Sequence, residues 1–112
     1  MRVALLVGGP VIQGVSACLG VEGWTLKNAD SPEEARSRLS VAWLRSVSVV
    51  VCDPNSVRKM SKMGKPVVAV AKHFPDGESS ARALLAKGAV GAVERQDEAT
   101  LLAVVNAALA LG

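Results

Sequence analysis

Residues Val47–Pro54 read V-S-V-V-V-C-D-P, a β-branched run too short and too rich in valine for a helix, ending on an acid followed by proline. Such a run predicts a strand buried on both faces. Strands of that kind lie in the middle of a parallel sheet covered by helices, and in such sheets chemistry gathers beyond the carboxyl ends of the strands. Asp53 stands at that end.

Upstream, Ser31-Pro32-Glu33-Glu34 combines an N-cap serine, a proline at the first helical position and a glutamate three residues after the cap. It predicts one helix with an apolar face of Ala35, Leu39, Ala42 and Trp43, and with Arg36, Arg38 and Arg45 pointing elsewhere. Before it, Arg2–Val7 (R-V-A-L-L-V) reads as a first buried strand stopped by Gly8, Gly9 and Pro10. Val11, Ile12, Val15, Cys18 and Leu19 follow at helical spacing, and Gly20 and Gly23 close that helix. Trp24–Asn28 is a less apolar second strand, which places it near a sheet edge.

Downstream, Asn55 or Ser56 caps a short third helix with Val57, Met60 and Met63 on its buried side, and Gly64 ends it. Pro66–Ala71 is a fourth strand. A loop through Lys72, His73, Phe74, Pro75 and Asp76 leads to a fourth helix carrying Ala81, Leu84 and Leu85 and ending at Lys87-Gly88. Ala89–Glu94 is a fifth strand, and Asp97 caps a last helix bearing Leu101, Leu102, Val104, Val105, Ala108 and Leu109. A strand followed by a helix, five times over, is the pattern of an α/β domain. Each connection contains a helix, so the strands run parallel with right-handed crossovers and helices on both faces. The expectation is a single domain over residues 1–112.

Half of the 112 residues are hydrophobic while only Phe74, Trp24 and Trp43 are aromatic, so the core is built from Ala, Val and Leu. The net charge of +3 is spread among acids and carries no basic run of the kind that marks a nucleic-acid tail. Cys18 and Cys52 both fall in apolar segments without metal spacing, and the expectation is two buried thiols in a reducing, cytoplasmic compartment. No stretch has the length of uninterrupted apolar residues that spans a membrane.

Several residues are candidates for chemistry or binding. Gly8-Gly9-Pro10 opens a helix, where exposed amides and the helix dipole favour anions, but it lacks the further glycines of a dinucleotide fingerprint and the lysine of a P-loop. A phosphate or nucleotide site at Gly8, Gly9, Asp53, Asn55 and Arg95 stands beside the plain reading of a tight turn. Arg95 either holds an anion or pairs with Asp53, and the salt bridge is the favoured alternative. His73, the only histidine, has no second metal ligand or nucleophile near it in sequence. Arg58, Lys59, Lys62 and Lys65 form a basic helix face without interleaved aromatics for base stacking.

Five βα units, Asp53 at the end of strand three, and Ala81–Arg95 (A-R-A-L-L-A-K-G-A-V-G-A-V-E-R) together resemble the receiver domain of bacterial response regulators over the full length. The resemblance implies a flavodoxin-like fold with strand order 2-1-3-4-5, and a phosphoacceptor role for the position of Asp53. It also implies an acidic pair after strand one that holds magnesium, a hydroxyl ending strand four, a lysine after strand five and a switching aromatic on strand five. Here those positions carry Gly8 and Gly9, Ala71, Arg95 and Ala92. A hard cation without its carboxylates has few oxygen donors, and phosphoryl transfer without the cation loses its main charge stabiliser. The resemblance is thus to a degenerate pseudo-receiver, a non-enzymatic two-component signalling module without metal or cofactor. The expected partner is another protein or an output domain of the same parent chain. The expected contact surface is the fourth helix, fifth strand and fifth helix, with Lys72, His73, Arg82, Lys87, Arg95 and Gln96 as candidate contacts and homodimerisation through the same surface.

Overall fold

The computed structural model describes residues 2–38, 40–76, 78–95 and 97–111, with the side chains of Pro10, Val11, Gln13, Arg38 and Glu78 left aside. Five strands form one parallel sheet in the order β2-β1-β3-β4-β5: β1 Val3–Val7, β2 Thr25–Ala29, β3 Val49–Cys52, β4 Val67–Ala71 and β5 Gly91–Glu94. β1, β3 and β4 are buried at every position, as continuous apolar runs in a covered parallel sheet must be. β2 is exposed along most of its length, in keeping with the edge position its polar sequence predicts.

Side-chain alternation sorts the core into two layers. Ala4, Leu6, Val49, Val51, Val68 and Val70 face α1 (Pro10–Val21) and the C-terminal α6 (Glu98–Leu109), which supply Ile12, Val15, Leu19, Leu101, Val105 and Ala108. Val3, Leu5, Val7, Val50, Cys52, Val67 and Ala69 face α2 (Pro32–Arg38), α4 (Val57–Ser61) and α5 (Glu78–Ala86), which supply Ala35, Val57, Met60 and Leu84. A fully buried valine or leucine contributes about 1.5–3 kcal/mol. With this many of them, the aliphatic layers hold the sheet without an aromatic centre.

One helix expected after Ser31 is two. Ser31 does cap it: its Oγ accepts from the Glu34 amide at 3.1 Å, and Glu34 Oε2 accepts from the Asp30 amide at 3.4 Å, one residue before the position a standard capping box uses. α2 ends at Arg38, however, and a second segment, α3 (Val41–Ser46), begins after Ser40. Ser40 is extended (φ −66°, ψ 153°) and its hydroxyl accepts from the Trp43 amide. A serine that bonds the backbone locally competes with helix continuation, and it re-aims the chain here. Ala42 is therefore exposed, and Trp43 and Leu44 pack against the core in its place. Leu39 lies outside the described residues.

Smaller differences concern strand ends. Trp24 precedes β2 and is buried beneath the Arg2 guanidinium, 5.4 Å from the ring centroid. Ala89 is buried in the turn before β5. Of the two cysteines only Cys52 is fully buried; Cys18 is half-buried on α1. Among the described residues no helix is long and apolar enough to cross a membrane.

Candidate functional site

Asp53 leaves β3 in extended conformation (φ −69°, ψ 161°) and precedes a 3-10 turn, Pro54–Ser56, that runs into α4. Its side chain gives that turn no capping hydrogen bond. The β1–β3 register fixes its place: Val7 pairs with Cys52, and the Asp53 amide donates to the Val7 carbonyl at 3.1 Å. The next residue of the first strand's chain, Gly8, lies against the acid. The Gly8 amide donates to Ala29 O at 2.9 Å, and the residue takes φ 141°, a conformation that only glycine adopts freely. A Cβ at Gly8 would stand 2.8 Å from Ile12 Cγ1, 3.2 Å from Asp53 Cβ and 3.4 Å from Asp53 Cγ. Position 8 thus has no room for a side chain between Ile12 and Asp53. At Gly9 a Cβ would meet nothing within 4 Å.

Asp53 Oδ1 is buried and has no hydrogen-bond partner among the described residues. The ion pairs found among those residues are Lys59 with Glu33 and His73 with Glu94, so the expected Asp53–Arg95 salt bridge does not form. The Arg95 amide does donate to Ala71 O at 2.8 Å, which brings β5's end to the correct height. Its side chain instead turns towards α1, where Cδ lies 3.6 Å from the position of a Cβ on Gly14. The register allows this because Arg95 follows an edge strand, two strands away from β3. Ala71, the last residue of β4, presents a methyl group and no hydroxyl, and pairs with Glu94. Among the described residues no group of three or more His, Cys, Asp or Glu side chains is placed to hold a metal ion.

Cys52 points away from the mouth into the α2/α4/α5 layer. Burial, reinforced by the negative charge of Asp53, pushes its thiol up to about 12. Cys18 is also raised, by burial first and then by Glu98 and Glu22.

The residues considered for an anion site do not share one recess. Gly8 and Gly9 line a cleft of about 310 Å³ with Ile12, Ser16, Asn28 and Asp30, between β1 and β2. Asn55 lines a different cleft, with Pro54, Arg58 and Lys87. Arg95 lies on the α1 side of the sheet.

Because α2 and α3 are separate, the surface expected from the fourth helix, fifth strand and fifth helix is formed by α5, β5 and α6. Lys72, His73, Arg82 and Lys87 are exposed on it or at its border, and Arg95 is half-buried; Gln96 lies outside the described residues. Two features escaped the sequence. His73 Nδ1 lies 3.2 Å from Glu94 Oε2, a contact that becomes readable once Ala71 is known to pair with Glu94. Lys87 also meets Arg58 across a cleft, and nothing in the linear spacing marks that approach.

No protein-family model matches the sequence, and no curated protein matches it. Solved structures match closely in shape. A two-component response regulator from Clostridium difficile superposes with a TM-score of 0.76 at 17% identity, over 97% of this chain and 96% of that one. The N-terminal domain of a response regulator/sensory box/GGDEF 3-domain protein from Carboxydothermus hydrogenoformans gives 0.74 at 20%, over 98% and 95%. NtrX from Brucella abortus gives 0.77 at 19%, over 99% of this chain and 27% of that longer one. At these identities the likeness establishes the fold: five parallel strands in the order 2-1-3-4-5 with helices, as in response-regulator receiver domains.

Proposed function

We propose that this chain is a receiver-like signalling module that works by binding another protein, without aspartyl phosphorylation and without magnesium. One observation carries the reading: beside Asp53, Ile12 Cγ1 comes within 2.8 Å of where the first atom of a side chain on Gly8 would stand. A divalent cation of the magnesium kind requires oxygen donors in near-octahedral array. Here Gly8 brings no side-chain oxygen and has no room for one, Ala71 offers only a methyl, and the Arg95 side chain lies against α1. Phosphoryl transfer onto Asp53 lacks both the cation and the donors that stabilise developing charge. Asp53 then serves as a helix-entry residue, and the chain is not an enzyme.

Contact with the partner falls on α5, β5 and α6, through Lys72, His73, Arg82, Lys87, Arg95 and Gln96. Leu85 on α5 and Val90 in the turn before β5 are exposed and add apolar area to that surface. The partner is a separate protein or an output domain of the same parent chain, and the same surface pairs two copies in a homodimer. The multidomain neighbours support this, since receiver-fold units stand there within longer chains.

Incubation with a small phosphodonor and magnesium, followed by intact-mass measurement, tests the reading. The expected spectrum shows no phosphoryl adduct. A mass gain that disappears in Asp53→Asn overturns it.

A further inference from the structure

On the side of Pro54 away from the glycine pair, two neighbouring clefts of about 290 and 260 Å³ share Pro54 and Lys87 in their walls and form the two ends of a groove at α4 and α5. One end is basic: Arg58 and Lys87 line it with Asn55, and among the described residues neither cation has a carboxylate within salt-bridge distance. The other end is apolar, walled by Phe74, Pro75, Ala83 and Leu84. A close contact fixes the groove. Gly88 (φ 118°) approaches Ser61 so tightly that a Cβ there would stand 2.7 Å from Ser61 Cβ, while the Ser61 hydroxyl donates to Arg58 O within α4 at 2.8 Å. The ends of α4 and α5 are thereby held together, and Arg58 and Lys87 face one space.

We propose that this groove docks a short acidic segment of a partner protein that carries one bulky apolar side chain. Carboxylates of the segment pair with Arg58 and Lys87, and its apolar side chain enters the recess against Phe74 and Leu84. Two cations without a paired carboxylate among the described residues, beside a small apolar recess, favour that combination, because charge complementarity orients the segment and the buried side chain anchors it. A nucleic acid is a poorer fit: the aromatics are Trp24, Trp43 and Phe74, all buried or half-buried, so bases find no exposed ring to stack on. The inference rests on the protein-binding reading above and names the partner chemistry for one border of that surface.

Two-dimensional amide NMR of the intact chain decides it, with a short synthetic peptide in which aspartates and glutamates flank one leucine. Saturable shifts are expected at Asn55, Arg58, Phe74, Leu84 and Lys87. Affinity falls roughly tenfold for the double variant Arg58→Glu/Lys87→Glu, whose exposed positions leave the dispersed spectrum of the folded chain intact. It falls similarly when glycine replaces the leucine, and a peptide with lysines for the acids gives no shifts. Four results overturn the proposal: no shift at the groove at millimolar peptide, shifts confined to β5 and α6, indifference to the double variant, or tighter occupation of the same amides by a DNA oligonucleotide. Shifts confined to β5 and α6 remove the groove and keep the protein-binding reading. A phosphoryl adduct on Asp53 removes the phosphorylation-independent reading whatever the groove does.

Discussion

The two sides of the Asp53–Pro54 step are built to opposite ends. Towards α1, the cleft at Gly8, Gly9 and Ile12 is lined by no cation, position 8 has no room for a side chain between Ile12 and Asp53, and Oδ1 is buried without a hydrogen-bond partner among the described residues. Towards α5, the same step borders a groove with an apolar recess and two cations that no carboxylate pairs among the described residues. The strand ends of one parallel sheet supply both places, so the fold alone does not determine which becomes a site. Side-chain volume decides on one side and unpaired charge on the other.

The hardest test of this contrast is Gly8→Asp, which places a second carboxylate beside Asp53. Backbone strain at φ 141° and the clash with Ile12 together cost about 3 kcal/mol or more. Urea unfolding reads this as a fall in the midpoint at constant slope. A variant that keeps its stability and binds magnesium breaks the comparison. Gly88→Ala tests the open side in the same way, since its Cβ meets Ser61 at 2.7 Å from a strained φ of 118°. Ser61 is at a partly exposed helix end that yields more easily than Ile12, so the expected loss is smaller, about 2 kcal/mol. The amide shifts it causes fall along α4 and α5 and leave Gly8 and Asp53 unmoved.

Asp53→Asn has a smaller effect. A carboxylate that holds a metal or a buried ion pair is missed by several kcal/mol when removed. Here the buried oxygen has no hydrogen-bond partner among the described residues to lose, so stability changes by less than about 1 kcal/mol. Thermal unfolding at neutral pH checks the size of the change. A clear loss of stability shows instead that the carboxylate is paired.

Much of the fold was legible because its signals are local. Valine runs, the Ser31 cap and the Asp97 cap, whose Oδ1 accepts from the Thr100 amide at 3.2 Å, each act within a few residues. The α2/α3 break was not legible, since Ser40 fits a helix surface as well as a cap until the packing of Trp43 and Leu44 selects the second. At the mouth, the residue types at Gly8, Gly9 and Ala71 could be read from the sequence. What could not be read was that Ile12 leaves no room for a side chain at position 8, or that the Arg95 side chain lies against α1. Such placements depend on side-chain directions across elements distant in sequence, as does the meeting of Arg58 with Lys87.

Cys52 gives the finest measure of the acid's charge, because it precedes Asp53 in the chain and its ionisation reports burial in the α2/α4/α5 layer first and that charge second. Its thiol lies at about 12 in the folded chain against an ordinary value of 9.0. Below pH 9.0 folded and unfolded chains both keep the proton, and the residue adds no pH dependence. Between 9.0 and about 12 the unfolded chain gives it up first, so stability falls as pH rises through that window. In native protein near neutrality the thiolate is scarce, and iodoacetamide labels half-buried Cys18 before Cys52, whose labelling follows unfolding. Asp53→Asn removes only the lesser of the two causes. The alkaline loss of stability then begins at the same pH and ends slightly earlier, while Cys52 stays protected; rapid labelling in that variant means that the Asp53 charge, and not burial in the α2/α4/α5 layer, was protecting the thiol.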